Sequence, residues 1–537
     1  MAENAKTPPP ADPPVAPAAP AGQAMPIPGD TLPSRPTADH NTHQGLPPPP
    51  DPQAGGTMPP TPATAQKPGL QAAPPDEQAG LTRALENSNL DAVAQTDADT
   101  PADPYSAEAL RDIVHGGTIS VPVDNIDREL IQAWKSTTSG GANEGTVAVT
   151  LMRAMNLVVY TEDEARTSAA NEAIDRIVRR HPCRTIMITN RSEARAATAT
   201  ADATPAAPAD SDLEASLSAH CYAANAEGKQ ICCEQITVAA HSSAALDRVS
   251  NLALNLLITD LPVFLWCAGG TMFNNVVLTH LEDSIDRLIL DSATFADPLA
   301  GLLGMARSVD PAFRNPDAGR YAPGDLNWGR LTALREATAG LFDDPDLLPS
   351  LWRIGSIEIQ YAAPVAGQAA NPIQAFLYAA WLGTRLNWEF HSGAVGRGGA
   401  GEAVVTMRQG VRSIPVVLRP TTGSAACPGE IRATRLTTND ANPLTIAFDL
   451  TSDAMYLDCR VERDGQEQAT RKVRYTAADD VALLDIELEQ FGHDPIYEQT
   501  LILAGLMTWG SLSAGRRNEI SAQLGTENRQ SSFDPRF

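Results

Sequence analysis

Between residues 146 and 189 the chain carries a strand, a helix and a second strand, and this succession restricts the fold more than any other feature. Residues 146–160 are rich in Val, Leu and Met and end in Asn-Leu-Val-Val-Tyr160, the composition of a buried strand. Thr161 and Glu164 stand at capping-box spacing. The helix they open places Ala170, Ala173, Ile174, Ile177 and Val178 on one face. Pro182 stops that helix, and 185–189 reads as another short buried strand. Strands joined by a helical crossover run parallel, so this unit predicts an α/β sheet.

The same alternation continues. Segments 213–225 and 230–239 flank Ala-Glu-Gly like a hairpin. A helix over 243–258 turns Leu246, Val249, Ala253, Leu256 and Leu257 inward. The apolar strand 262–267, a helix near 274–283 and the short strand 287–291 complete a doubly wound, Rossmann-like layer with a mostly parallel sheet. A low-complexity insertion of Ala, Thr, Pro and Asp at 194–210 interrupts this layer without ending it. The polar stretch 308–324, with three prolines and two glycines, is the expected domain boundary. Beyond it, Asp325 caps a helix bearing Leu331, Leu334, Thr338 and Leu341. A strand over 354–361, a helix opened by Asn371 and Pro372, four or five strands over 402–463 and two closing helices follow. The second domain is expected to be α+β with an antiparallel sheet. The division is a tail at 1–104, an α/β domain at 105–310 and an α+β domain at 311–537.

Composition decides the tail. The first 104 residues hold 24 of the 43 prolines, no aromatic residue and a net charge of −8. Such a segment buries too little apolar surface to offset its ordering entropy and is expected to be disordered. The remaining chain is also acidic, net −17, which argues against nucleic acid or an anionic membrane as partner. The greasiest window, 252–270, is broken by Asn255, Asp260 and Pro262, so it is not a membrane span. The opening Met-Ala-Glu-Asn-Ala-Lys has no secretory character. Seven scattered cysteines read as reduced thiols of a cytoplasmic protein, with Cys183, Cys232 and Cys233 as candidates for a redox switch.

Residues 396–401, Gly-Arg-Gly-Gly-Ala-Gly, formally match a dinucleotide fingerprint. A helix leads in and a strand leads out, the reverse of what phosphate binding needs, so this is a flexible turn. No nucleotide, zinc or nucleophile-elbow motif is present; neither a cofactor nor a catalytic residue is expected. His181-Pro-Cys-Arg184 lies where a helix gives way to a strand. Arg184 is either a structural cation there or an anion contact at the sheet edge. Trp266 and Cys267 end a strand, where ligands of open α/β sheets bind, although such residues also serve as core or interface. Trp328, Arg330 and Arg335 share one helical segment. They are candidate partner-interface residues, with surface ion pairs as the plainer reading.

Five blocks in order carry a resemblance: His181-Pro-Cys-Arg184, Asp260-Leu-Pro-Val-Phe-Leu-Trp266, Asp286-Arg-Leu-Ile-Leu-Asp-Ser292, Leu326-Asn-Trp-Gly-Arg330 and Tyr378-Ala-Ala-Trp-Leu-Gly-Thr-Arg-Leu-Asn-Trp388. Over roughly 119–506 this order resembles the glucose-6-phosphate dehydrogenase assembly protein family, OpcA. The resemblance implies a non-catalytic protein that binds the dehydrogenase, supports its oligomeric state and raises its activity. It supplies no catalytic residues to carry over. Two rivals stand beside it: a sugar-phosphate-binding enzyme or sensor using the crevice near Arg184 and Trp266, and a scaffold that recruits through its Pro-rich tail.

Overall fold

The computed structural model describes residues 117–139, 149–192, 212–223, 230–269, 275–310, 321–363, 370–395, 402–422, 427–475 and 479–524. The tail, the 194–210 insertion and the 396–401 glycine run lie outside them.

The first sheet contains β1 (Ile119–Val121), β2 (Val149–Leu151), β3 (Met155–Thr161), β4 (Cys183–Asn190), β5 (Leu213–Ala223), β6 (Gln230–Ala240), β7 (Val263–Cys267), β8 (Arg287–Leu290) and β9 (Ala322–Asp325). Its order is β1-β5-β6-β4-β3-β7-β8-β9, with β2 beside β6. From β6 to β9 every pairing is parallel; β5 is antiparallel to β6 and β1 to β5. Its helices are α1 (Ile126–Ser139), α2 (Glu164–Ile177), α3 (Ser243–Leu256), α4 (Val276–Leu281) and α5 (Pro298–Val309).

Both faces of the central strand are covered. Met155, Leu157 and Val159 join the α2 residues Ala170, Ile174 and Ile177 in one cluster, whereas Val158 and Tyr160 join Val249 and Ala253 of α3 in another. A strand buried on both sides has no polar face to alternate with, which is why β3 reads as a continuous apolar run. The helix cap differs from the expected capping box. Asp163, not Thr161, accepts the Arg166 amide at 2.7 Å. Thr161 instead ends β3, buried, with its hydroxyl against those of Thr167 and Thr189. The final strand, β9, lies beyond residue 310, so the first sheet draws its edge from the far side of the expected boundary. Its sequence, Ala-Pro-Gly-Asp, is tolerated because it is an edge strand.

After β9 come α6 (Leu326–Arg330), α7 (Thr332–Leu341) and α8 (Leu348–Leu351), then the second sheet: β10 (Ile354–Ala362), β11 (Glu389–Val395), β12 (Ala403–Gln409), β13 (Arg412–Thr421), β14 (Ile431–Thr438), β15 (Leu444–Leu450), β16 (Tyr456–Arg463) and β17 (Gln466–Arg474). The order is β11-β12-β13-β10-β14-β15-β16-β17. This sheet is mixed rather than antiparallel: β10 and β13 pair in parallel, because α9 (Ile373–Arg385) and the β11–β12 hairpin lie between them in the chain. The chain ends with α10 (Asp480–Leu488), α11 (Pro495–Ser511) and α12 (Ala514–Gln523). Helices α11 and α5 cross closely; a Cβ built on Gly505 would stand 2.5 Å from the Ala306 Cβ, so the crossing requires glycine.

Helix α10 leaves the second sheet and returns to the first. Its Leu483, Leu484 and Leu488 pack into the cluster that contains Phe264, Trp266 and Ile289. The parallel sheet is therefore finished by a segment from near the other end of the chain.

Candidate functional site

In open parallel sheets, ligands bind beyond the C-terminal ends of the strands, and a phosphate rests on a helix N-terminus reached through a glycine turn. Here the turn after β3 is Thr161-Glu162-Asp163-Glu164. Asp163 accepts from both the Arg166 amide and its Nε, and Glu164 accepts from Arg191. Carboxylates thus fill the place that an anion would need.

The start of α10 lies over the same end of the sheet. A cavity of about 500 Å³ remains, bounded by Trp266 and Gly269 below and by Asp479, Asp480 and Val481 above. Gly269 has φ +112°, and a Cβ there would collide with the Arg166 guanidinium. The acids of this helical segment meet arginines of the layer beneath. Arg176 donates to Asp479 at 2.7 Å, Arg330 donates to Asp480 at 2.6 Å, and Arg180 donates to Asp485 and Glu489. His181 Nε2 lies 2.8 Å from Asp485. The deepest pair is Arg287 with Glu487, whose side chains are 2% and 7% exposed. Burial raises the Glu487 carboxyl, and Arg287 pulls it back down. Gly324 makes room for this pair: a Cβ there would stand 2.2 Å from Glu487 Oε2.

A second, largely uncharged tie runs deeper. Asp325 accepts from the Ser292 amide at 2.9 Å, the Ser292 hydroxyl at 2.7 Å and the Asn327 amide at 2.9 Å. Asn327 donates to Ser292 Oγ, and Gln374 of α9 donates to Asn327 Oδ1 at 2.7 Å. The Ile431 amide of β14 donates to Gln374 Oε1. One hydrogen-bonded chain therefore crosses from β8 and β9 through α6 and α9 to the second sheet. Burial pushes the Asp325 carboxyl up to about 6, against the pull of those donors.

The residues singled out from sequence fall as follows. Arg184 is engaged with a protein carboxylate. It stands at the N-terminal end of β4, away from the crevice, where it donates to the buried Glu234 and to the Leu256 carbonyl. Arg153 and Trp134 also donate to Glu234. Trp266 and Trp328 are core residues, 7% and 5% exposed, and so are unavailable as partner anchors. Arg330 is not a surface arginine: it forks onto both oxygens of Asp291 at 2.7 and 2.9 Å and reaches Asp480. Arg335 stacks on Trp328, its guanidinium carbon 3.5 Å from the ring centre. The large apolar groups that do reach the surface include Trp352, 53% exposed, and Phe491, 61% exposed.

The cysteines need a correction. Cys232 is bonded to Cys221, so these two are not reduced thiols, and Cys232 is not a partner for Cys183 or Cys233. The β5–β6 register sets Cys221 directly opposite Cys232, with Cα atoms 4.1 Å apart. Cys183 and Cys233 are free and buried, and desolvation pushes the Cys183 thiol up to about 12. A buried thiol so protonated is a poor nucleophile. As for metals, His181, Asp485 and Glu489 bring ligand-type atoms within 4.8 Å of one another. Arg180 already donates to both carboxylates and supplies the positive charge that they need.

Four of the five sequence blocks meet around α10 and the Asp325 network, supplying His181, Trp266, Arg287, Asp291, Ser292, Asn327 and Arg330. The fold and this junction define a two-sheet protein whose charged motif residues are spent on holding the sheets together. It belongs to the glucose-6-phosphate dehydrogenase subunit family, residues 174–307 matching that family's N-terminal domain and 321–501 its C-terminal domain. Relatives carrying the name OpcA, of the OxPP cycle, come from Synechococcus elongatus, 28% identical over 55% of this chain and 64% of their own, and from Nostoc punctiforme, 31% identical over 41% and 42%. These alignments span less than two thirds of either relative. Among solved structures, the WlbA dehydrogenase of Thermus thermophilus overlays with a TM-score of 0.31 and 11% identity, over 68% of this chain and 99% of its own. That likeness is too distant to define an activity.

Proposed function

We propose that this chain is a non-catalytic assembly factor of the oxidative pentose phosphate pathway, acting in the cytoplasm. It binds glucose-6-phosphate dehydrogenase and stabilises its active oligomer. The observation that carries this reading is the charge pairing around the cavity at the C-terminal end of the parallel sheet. Acids of the 479–489 segment are paired with arginines where a Rossmann-like layer would hold its ligand, and carboxylates stand at the start of α2. The sheet is then a scaffold, and membership in a family described as a dehydrogenase subunit supports the dehydrogenase as the partner. We read 105–310 and 311–537 as its two domains, the second lending β9 and α10 to the sheet of the first.

The mechanism is differential binding. A protein that prefers the active over the inactive assembly by about 1.4 kcal/mol shifts their ratio tenfold. The test is NADPH formation by the dehydrogenase and by this chain, singly and mixed, across a range of glucose 6-phosphate. This chain alone is expected to be silent and the mixture faster than the dehydrogenase alone. An unchanged curve on mixing two folded proteins refutes the proposal.

A further inference from the structure

A second cavity, of about 550 Å³, lies between the α6–α7 segment and helices α10 and α11. It differs from the crevice above in how its charges are matched. Two of its arginines, Arg287 and Arg330, are committed to carboxylates. Two others, Arg335 and Arg474, line it with no carboxylate among the described residues bonded to them. Arg335 donates a single hydrogen bond, from Nη2 to Thr332 Oγ1 at 3.0 Å. Its Nε is buried without a partner. Its plane is fixed by the stack on Trp328, and Trp328 is itself held by Tyr497 at a ring distance of 5.3 Å. A guanidinium immobilised on an aromatic ring has already lost the freedom that binding an anion would cost. Desolvation lowers Arg335 to about 10, and the nearby Asp494 and Glu336 carboxylates offset this only in part. Arg474, at the end of exposed β17, stands at the mouth.

The remaining walls specify what the anion is attached to. Glu336 and Asp494 line the cavity, though Asp494 is occupied in capping α11. Gln490 gives its carbonyl to Arg287 and keeps its amide group. Leu483 and Ile486 supply apolar surface. The volume lies in the range of small-molecule sites, roughly 300–1,000 Å³.

We propose that this cavity binds a small phosphomonoester bearing hydroxyl groups, with Arg335 and Arg474 holding the phosphate and Glu336 and Gln490 meeting the hydroxyls. The two guanidiniums suit a dianion better than a single carboxylate, since each takes two phosphate oxygens in parallel. In a chain of net charge −25, such a pocket also concentrates anions against the repulsion of the rest of the surface. The site belongs to this chain by itself, so it stands or falls independently of any dehydrogenase partner.

Calorimetric titration of the full chain with glucose 6-phosphate, inorganic phosphate and glucose tests this directly. Glucose 6-phosphate is expected to bind, phosphate to bind more weakly and to compete, and glucose to be silent. Arg335→Gln and Arg335→Lys should each weaken glucose 6-phosphate by about tenfold or more, the equivalent of about 1.4 kcal/mol. Arg474→Gln, on an exposed strand end, should weaken it with an unchanged melting curve, which guards against a loss caused by misfolding. Glu336→Gln should narrow the gap between glucose 6-phosphate and phosphate. No heat with either phosphate compound, or equal affinity in wild type, Arg335→Lys and Arg474→Gln, overturns the proposal.

Discussion

Replacing Arg287 with leucine removes a side chain that donates four hydrogen bonds: two to Glu487, one to Gln490 and one to the Gly492 carbonyl. What remains is a carboxylate 7% exposed, with no cation to offset its burial. Breaking one side of a buried pair costs about 3–5 kcal/mol, whereas removing both partners is often far milder. Arg287→Leu and Glu487→Leu should therefore each destabilise strongly, and the double variant should be more stable than the sum of the singles by about 2–3 kcal/mol. Urea unfolding of the four proteins gives the cycle. Hydrogen exchange locates it, since protection of the 480–488 amides should fall before that of β3. Strict additivity would refute the reasoning, because it would mean that Glu487 finds water when Arg287 is gone and that α10 is not seated as described.

Three further expectations follow from the junction and the hairpin. Arg330→Ala should lose about 3 kcal/mol or more of stability, since it strands the buried Asp291 beneath it; a melt within a degree of wild type would return Arg330 to the surface. The folded Asp325 carboxyl is raised from 3.8 to about 6, so the native state holds that proton more tightly than the unfolded chain. Its contribution is complete below pH ~4 and is lost as pH climbs to ~6, by about 3 kcal/mol. Asp325→Asn should flatten that part of the stability–pH curve, and an unchanged slope would exclude Asp325 as its source. Thiol titration in denaturant without reductant should count five cysteines, and seven after reduction, because Cys221 and Cys232 are joined and the other five are free; seven from the start would contradict the bonded hairpin.

Much of the first sheet was readable because burial on both faces leaves an apolar run with no ambiguity of phase, as in β3 and β7. Where burial is absent, so is the signal. Strand β17, Gln-Glu-Gln-Ala-Thr-Arg-Lys-Val-Arg, is exposed along almost its whole length and offered no alternation to find. Strand β9 contains Pro and Gly and is held only as an edge. Helix α5 was missed although Asp297 and Pro298 are ordinary N-cap and first-turn residues. The site was harder. Arg330 was legible as a notable residue but not as a buried one, because Asp291 lies 39 positions before it and Asp480 lies 150 after. The disulfide could have been found: the hairpin reading of 213–225 and 230–239 already brought Cys221 and Cys232 near each other, and only the register was lacking.

Glu487 is 200 positions from Arg287, and this separation has a consequence for how the protein is made. At a synthesis rate of about 5–20 residues per second, β8 emerges from the ribosome about 10–40 s before its closing helix. Throughout that interval Phe264, Trp266 and Ile289 lack the cover of Leu483, Leu484 and Leu488, and Arg287 lacks its carboxylate. A nascent layer with that apolar face open is expected to need cover until the helix beginning at Asp480 arrives. Chains ending between 326 and 480 are expected to leave that apolar face uncovered and to aggregate more readily than the full chain.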